Sequence, residues 1–415
     1  MDKNKTLNKN KQDNIWDAAY LILYALTVAH AFYFTTMFPT EFLDNTARYF
    51  YGAILLYVVL KLVFSKRYSR AEQVLSVVMI GIFSIAGVVT GYLEIIQFVL
   101  LIVGAKEIDF RKILMSYSAA AVLMLLAAFV ASQCGIIVDL ITYTPRSFNG
   151  GLRHSFGIIY PTDFAAHVFY VVMAIACVVA IKRGRSEKKK KNAMITIAIC
   201  VISIVIAGFL YYECLAFTST ICLIGFVMLV VFMSLISHAG EKIYKFFVRV
   251  MMLAPILLSV LYISLSKFYV AGVNIWEKIN TALSNRIAVS SRALSMYNVK
   301  LFGQFIEELG WGGLSDTSNI SEEQYFFIDD SYLRILLEYG LFVFIIVIAI
   351  FTIILKKSAD NRQIILFAAL VAVAVHCFME HHMMEVAYNP FLLIFLTVMP
   401  EGEKNELEEV DNPVH

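Results

Sequence analysis

Apolar runs of roughly 17–25 residues recur about a dozen times along the chain, too many and too long for the core helices of a soluble domain. None shows the two-residue alternation of barrel strands, and in hydrocarbon every backbone amide must be satisfied within its own segment, so the runs read as helices. The pattern predicts an all-α polytopic membrane protein of about 12 transmembrane helices. They fall near 16–37, 48–65, 72–91, 92–105, 112–133, 161–181, 193–211, 213–236, 248–266, 332–355, 363–380 and 387–400, the fourth and last being short. Residues 16–400 then make one transmembrane domain between an N-terminal tail, 1–15, and a C-terminal tail, 401–415.

Composition strengthens this reading, and charge gives it an orientation. Apolar residues make up 60% of the chain, against roughly 45–50% in ordinary globular domains. Basic clusters at Lys3–Lys11, Lys61–Arg70, Lys106–Lys112, Lys182–Lys191, Lys242–Arg249 and Lys356–Arg362 hold 24 of the 34 basic residues and all fall on one side of the predicted spans. The positive-inside rule makes that side, and both tails, cytoplasmic. The opening segment has no small-residue cleavage site and reads as a cytoplasmic tail, not a signal peptide. A net charge of +2 gives no reason to expect nucleic acid, and the Lys188–Lys191 run reads as a topology determinant. The six cysteines lack ligand spacing and read as packing residues.

Two connections on the outward side, 134–160 and 267–331, are much longer than the rest, and the second is predicted to be largely helical. The first ends in RHSFGIIYPTD, Arg153 to Asp163, and leads into a span containing His167. Pro161 with Thr162 or Asp163 is a sound helix start. Asp163 and His167, four apart, share a face: either the acid caps the helix and the His satisfies it, or both face a wet cavity. In the second loop, residues 275–297 repeat apolar positions with helical period and predict one continuous amphipathic helix. Arg286 and Arg292 lie about 120° apart on it, so at most one points into a common pocket, and both could equally lie at the lipid interface.

Beyond a polar, Gly-rich stretch the chain reads FFIDDSYLRILLEYG, where Asp330, Arg334 and Glu338 recur every four residues. That spacing gives either a self-neutralising ladder, with Asp329 or Asp330 capping the helix, or charges facing a cavity. His376, Glu380, His381, His382 and Glu385 crowd the end of the eleventh span. Neither HExxH nor HxxEH occurs, so they read as a polar rim and no metal is expected.

In their order along the chain these segments resemble the O-antigen polymerase and ligase superfamily, specifically its Wzy-type polysaccharide polymerases. The resemblance rests on RxSFGxxxP (Arg153 to Pro161), an Arg after Leu-Ser in the outer helix (Leu283 to Arg286) and the LFG turn (Leu301 to Gly303). Asp329–Leu333 with Glu338–Gly340, and Glu380 followed by Tyr388–Phe391, complete it. Members often carry Ser-Arg between the seventh and eighth spans, whereas Tyr211 to Thr220 holds no basic residue. Ligases place His before Asn where Asp329 and Asp330 stand here, which favours a polymerase.

The resemblance implies inverting glycosyl transfer between undecaprenyl-pyrophosphate-linked oligosaccharides at the outer face of a bacterial plasma membrane, without cofactor. Arg153, Arg286 and Arg334 would stabilise the departing pyrophosphate. Asp329 or Asp330, with His167 in reserve, would be the base. Arg292, Asp163, Glu338, Glu380 and His381 are secondary candidates. Implied partners are the lipid-linked glycan, membrane lipid, and the flippase and chain-length regulator of the same pathway. A transporter of such glycans is the rival reading, though transporters tend to place charges near the midplane and to repeat halves. Ligase-type transfer to another acceptor is a third, and an intramembrane protease lacks its motifs.

Overall fold

Helix ends in this chain are set by local chemistry as much as by apolar length. The computed structural model describes residues 3–41, 43, 45–144, 151–181, 189–238, 240–310 and 324–399. The tail 401–415 and most of the Gly-rich stretch lie outside them. The helices that open the chain are α1 (Lys3–Tyr33), α2 (Ala47–Phe64), α3 (Arg70–Thr90), α4 (Glu94–Gly104) and α5 (Phe110–Gln133). They are followed by α6 (Pro161–Ile181), α7 (Lys189–Phe209) and α8 (Phe217–His238). The remainder are α9 (Glu241–Met252), α10 (Ala254–Phe268), α11 (Asn274–Ala282), α12 (Arg286–Met296), α13 (Ser331–Arg334), α14 (Leu341–Asp360) and α15 (Ile364–His376). Helix α3 shows how sequence fixes both ends. A capping box joins Ser69 to Glu72 at its start, a device of about 1 kcal/mol, and Gly91 in the left-handed region stops it.

Among the described residues eight helical segments are long and apolar enough to cross a membrane, and a ninth if α9 and α10, bent by 42°, count as one broken span. The chain is a membrane-embedded helical protein. Exposed apolar side chains such as Leu56, Val63, Val77 and Val88 would be a liability in water and suit lipid contact.

Three predicted spans are revised. Helix α4 has 11 residues and α15 has 13, about 16 and 20 Å at 1.5 Å per residue, short of a hydrocarbon layer roughly 30 Å thick. The stretch read as a twelfth span is a buried 3₁₀ segment, Phe391–Leu396, lying against α4. Irregular backbone at such depth is tolerated because protein surrounds it, with Phe391 to Ile394 at most 1% exposed. A second departure from pure helix is a short antiparallel pair, β1 (Ile141–Tyr143) with β2 (Leu152–His154), in the 134–160 connection.

The predicted helix over 275–297 is also broken. Ser284 and Asn285 take positive φ, 54° and 64°, a conformation Asn tolerates better than most residues, and the chain turns between α11 and α12. The tenth span begins late: α13 is followed by a π-helical turn, Ile335–Tyr339, before α14. Gly303 and Gly340, both at positive φ, let the LFG turn cross this junction backbone to backbone. A Cβ on Gly303 would sit 1.8 Å from Glu338 O, and one on Gly340 2.2 Å from Gly303 N. Gln304 N donates to Glu338 O at 3.0 Å and Leu341 N to Lys300 O at 3.0 Å across the crossing.

Helix α6 is the most enclosed long span, with 61% of its apolar window buried against 22% for α2, and it packs on α5, α8 and α15. At one end of the bundle Asp17 pairs with Arg67 at 2.6 Å and Lys112 at 3.7 Å, Lys106 pairs with Glu72, and Val398 bridges to Asp109. The described beginning and end of the chain therefore share that end.

Candidate functional site: a recessed charged cluster

Short α15 leaves room above it, and the chain after His376 folds back into that room. Tyr332 Oη donates to Ala374 O at 2.7 Å, Ser331 N to Cys377 O at 3.0 Å and Ser331 Oγ to Glu380 O at 2.5 Å. Tyr117 Oη donates to Tyr388 O at 2.5 Å. These contacts lock α13 and the 377–390 turn together against α15 and α5.

Around this turn the structure assembles two arginine-centred networks. Arg286, at the start of α12, lies 3.2 Å from Glu380 Oε1 through Nη1 and 3.3 Å from Asp329 Oδ2 through Nε, and it also donates to Met379 O. Asp329 Oδ2 in addition accepts from Tyr325 Oη at 3.3 Å. No hydrogen bond reaches its Oδ1 among the described residues. Burial pushes the Asp329 carboxyl above its ordinary range even though Arg286 opposes it. Burial works against the Arg286 cation too, but Asp329 and Glu380 prevail and hold it charged. Burial and the Asp329 charge likewise push the Tyr325 hydroxyl up.

Arg334 forms the second network. Its Nε lies 3.1 Å from Glu338 Oε2, as the four-residue spacing predicts; its Nη2 bonds Glu308, and its guanidinium stacks 4.7 Å over Phe327. Glu308 escaped the sequence reading, since nothing local marks it as the partner of an arginine 26 positions on. Asp330 does not join the ladder. Its two oxygens cap α13, accepting Tyr332 N and Leu333 N at 2.9 Å each, and it is fully buried. That occupies the carboxylate and leaves Asp329 as the accessible one.

Asp163 and His167 do not pair. His167 Nε2 meets Thr35 Oγ1 at 2.8 Å, and its ring is stacked between Phe32 and Tyr388 at 3.9 and 3.8 Å. Asp163 instead faces His382 Nε2 at 3.5 Å. His382 stacks on the other face of Tyr388 at 3.8 Å, and Glu385 bridges His381 (3.3 Å) and His382 (3.2 Å). Burial holds His381 well below the ordinary imidazole range, helped by the charge of His382. Burial pulls His382 the same way, yet Glu385 and Asp163 raise it on balance. Neither Glu385 nor Tyr325 stood among the candidates.

Arg153 is set apart in kind. Its Nε donates to Cys214 O at 2.9 Å at the end of the Leu210–Cys214 turn, and its guanidinium lies 5.7 Å from the Tyr160 ring. Among the described residues Arg153 has no carboxylate partner. It thus places a cation at the turn whose own sequence, Tyr211 to Thr220, lacks one. Arg292 donates to Tyr325 O and packs 5.0 Å over Phe326, so the two α12 arginines do point to different partners. An apolar groove of about 490 Å³ between α1 and α2, lined by Trp16, Leu23, Leu56 and Tyr57, lies toward the other end of the bundle. No protein-family model, no curated protein and no solved structure matches this chain.

Proposed function

We propose that the chain is a polysaccharide polymerase that joins undecaprenyl-pyrophosphate-linked oligosaccharide units at the outer face of a bacterial plasma membrane. The observation that carries the reading is a division of labour at one end of a membrane-embedded bundle. Asp329 keeps one carboxylate oxygen open beside Arg286, while Arg153 is held by a backbone carbonyl and has no acidic partner among the described residues. The first is a base; the second is an anion site. The charged groups gather at a span end and not at mid-helix, which favours an enzyme over a transporter.

In the transfer, the acceptor hydroxyl oxygen bonds to the anomeric carbon as its proton passes to Asp329 Oδ1. The bond from that carbon to the pyrophosphate oxygen breaks, and its electron pair leaves with the lipid pyrophosphate. Arg153 meets the charge that develops on the leaving group through its outer nitrogens, where a fork binds phosphate oxygens bidentately. Arg286 orients Asp329 and keeps it ionised, and Arg334 braces α13 against Glu308. The raised position of Asp329 suits a base, since proton affinity nearer the working pH favours transfer.

The test is purified protein incubated with a lipid-linked repeat unit. A ladder of polymer, lost in Arg153→Ala and Asp329→Asn at unchanged protein yield, is the expected result. Ladders of normal length from both variants would refute the assignment. Movement of the glycolipid across vesicle bilayers without any ladder would favour the transporter.

A further inference from the structure

We propose that Glu380, His381 and His382, with Asp163 as fourth donor, form a binding site for one divalent transition-metal ion of the zinc type, whatever reaction the protein performs. One ligand-type atom from each of Glu380, His381 and His382 lies within 4.8 Å of the other two. Proximity alone would carry little, because polar side chains gather at many helix ends.

The independent observation is how each imidazole uses its two nitrogens. Glu385 takes one nitrogen from each ring, Oε1 facing His381 Nε2 at 3.3 Å and Oε2 facing His382 Nδ1 at 3.2 Å. The nitrogens left over, His381 Nδ1 and His382 Nε2, are shut off from solvent and have no hydrogen-bond partner. A carboxylate that holds one ring nitrogen and so directs the other is the outer-shell arrangement of metal-binding histidines. A buried polar atom without a partner is otherwise unfavourable by about 1–3 kcal/mol. His381 Nδ1 is such an atom, and His382 Nε2 has only Asp163 Oδ1 at 3.5 Å, outside hydrogen-bond geometry, so an ion shared by the adjacent residues would satisfy both.

Distance and charge agree. Asp163 Oδ1 stands 3.5 Å from His382 Nε2; a tetrahedral ion with bonds of about 2.0–2.1 Å holds its ligand atoms roughly 3.3 Å apart. Asp163, Glu380 and Glu385 lie beside the two rings as three carboxylates, and Arg286 is the one guanidinium paired with any of them among the described residues. With neutral rings a dication offsets that excess. Imidazole and carboxylate donors without thiolate suit Zn²⁺ or Co²⁺. Such an ion would tie the 377–390 turn to α6 through Asp163.

Full-length protein in detergent, stripped with a chelator, is titrated with Co²⁺ and then Zn²⁺. The expected result is one equivalent of Co²⁺ with visible d–d bands, no thiolate charge-transfer band, and displacement by Zn²⁺. His381→Ala abolishes the bands, and the milder Glu385→Gln weakens affinity about 10–100-fold with the size-exclusion profile unchanged. Absence of bands in wild type, or bands that persist unaltered in both variants, would overturn the site. The first outcome leaves His382 as an imidazolium between Asp163 and Glu385, and the second an adventitious ion only. The readout is spectroscopic, so it stands or falls apart from polymer formation.

Discussion

Arg286→Ala is expected to destabilise the protein in addition to any effect on chemistry. The guanidinium lies 3.2 Å from Glu380 and 3.3 Å from Asp329, with the three side chains only 13%, 5% and 16% exposed. Truncation leaves two carboxylates facing each other's charge with little water to solvate them. Breaking a buried pair by removing one partner costs about 3–5 kcal/mol. Protonation of the carboxylates relieves part of this, placing the loss near 3 kcal/mol, about a hundredfold in the folding equilibrium. The double variant Arg286→Ala with Glu380→Gln removes charge from both sides and should recover at least half of that loss. Thermal unfolding of wild type, both singles and the double in one detergent closes the cycle. A melting midpoint for Arg286→Ala indistinguishable from wild type, or a double variant as unstable as Arg286→Ala, would refute the account of Arg286 as the cation that neutralises this pocket.

The two aspartates should separate cleanly. Asp330→Asn keeps one of the two capping oxygens and is expected to lose less than Asp330→Ala, which forfeits about 0.5–2 kcal/mol of helix capping, both measurable as lower melting midpoints. If Asp329 is the base, the rate falls as pH drops through a value above the ordinary 3.8, because only the ionised form accepts a proton; an acid limb at or below 3.8 would contradict it. Stability moves the other way. With the folded-state pKa raised, the contribution of Asp329 is present below 3.8 and lost as pH rises through the higher value. Gly303→Ala and Gly340→Ala each place a methyl inside backbone van der Waals distance, on top of about 1–2 kcal/mol for a left-handed non-glycine residue. Loss of monodisperse protein is expected, and wild-type yields from both would show that the crossing is not as tight as described.

The long spans were legible because about 20 consecutive apolar residues admit few other fates, and the Arg334–Glu338 pair because helical geometry alone brings positions four apart together. Helix length was less legible. Residues 94–104 and 364–376 are as apolar as true spans, yet α4 and α15 stop short, and hydropathy does not distinguish burial in protein from burial in lipid. The apolar period of 275–297 runs straight across Ser284 and Asn285, so the break was concealed; the Ser-Asn pair is the local signal that could have marked it. Contacts distant along the chain were invisible. Nothing near Glu308 points to Arg334, nothing near Thr35 points to His167, and Asp163 finds His382 rather than the histidine one turn away.

Two further long-range contacts rest on a pair of widened helical turns. Leu210–Cys214 ends α7 and Ile335–Tyr339 follows α13, each a π turn whose extra residue directs a carbonyl away from the regular i to i+4 ladder. Leu215 at φ 47° and Gly340 at φ 92° end them. The freed groups are used at once: Cys214 O accepts from Arg153 Nε at 2.9 Å, and Glu338 O from Gln304 N at 3.0 Å. One turn thereby anchors β2 and the RHSFG segment, and the other anchors the LFG turn beside the Arg334 network. A regular α-helix through either segment would rotate the following residues by about 100° and turn those carbonyls away. The local irregularities that a hydropathy pattern smooths over are thus the features that dock both long connections onto the bundle.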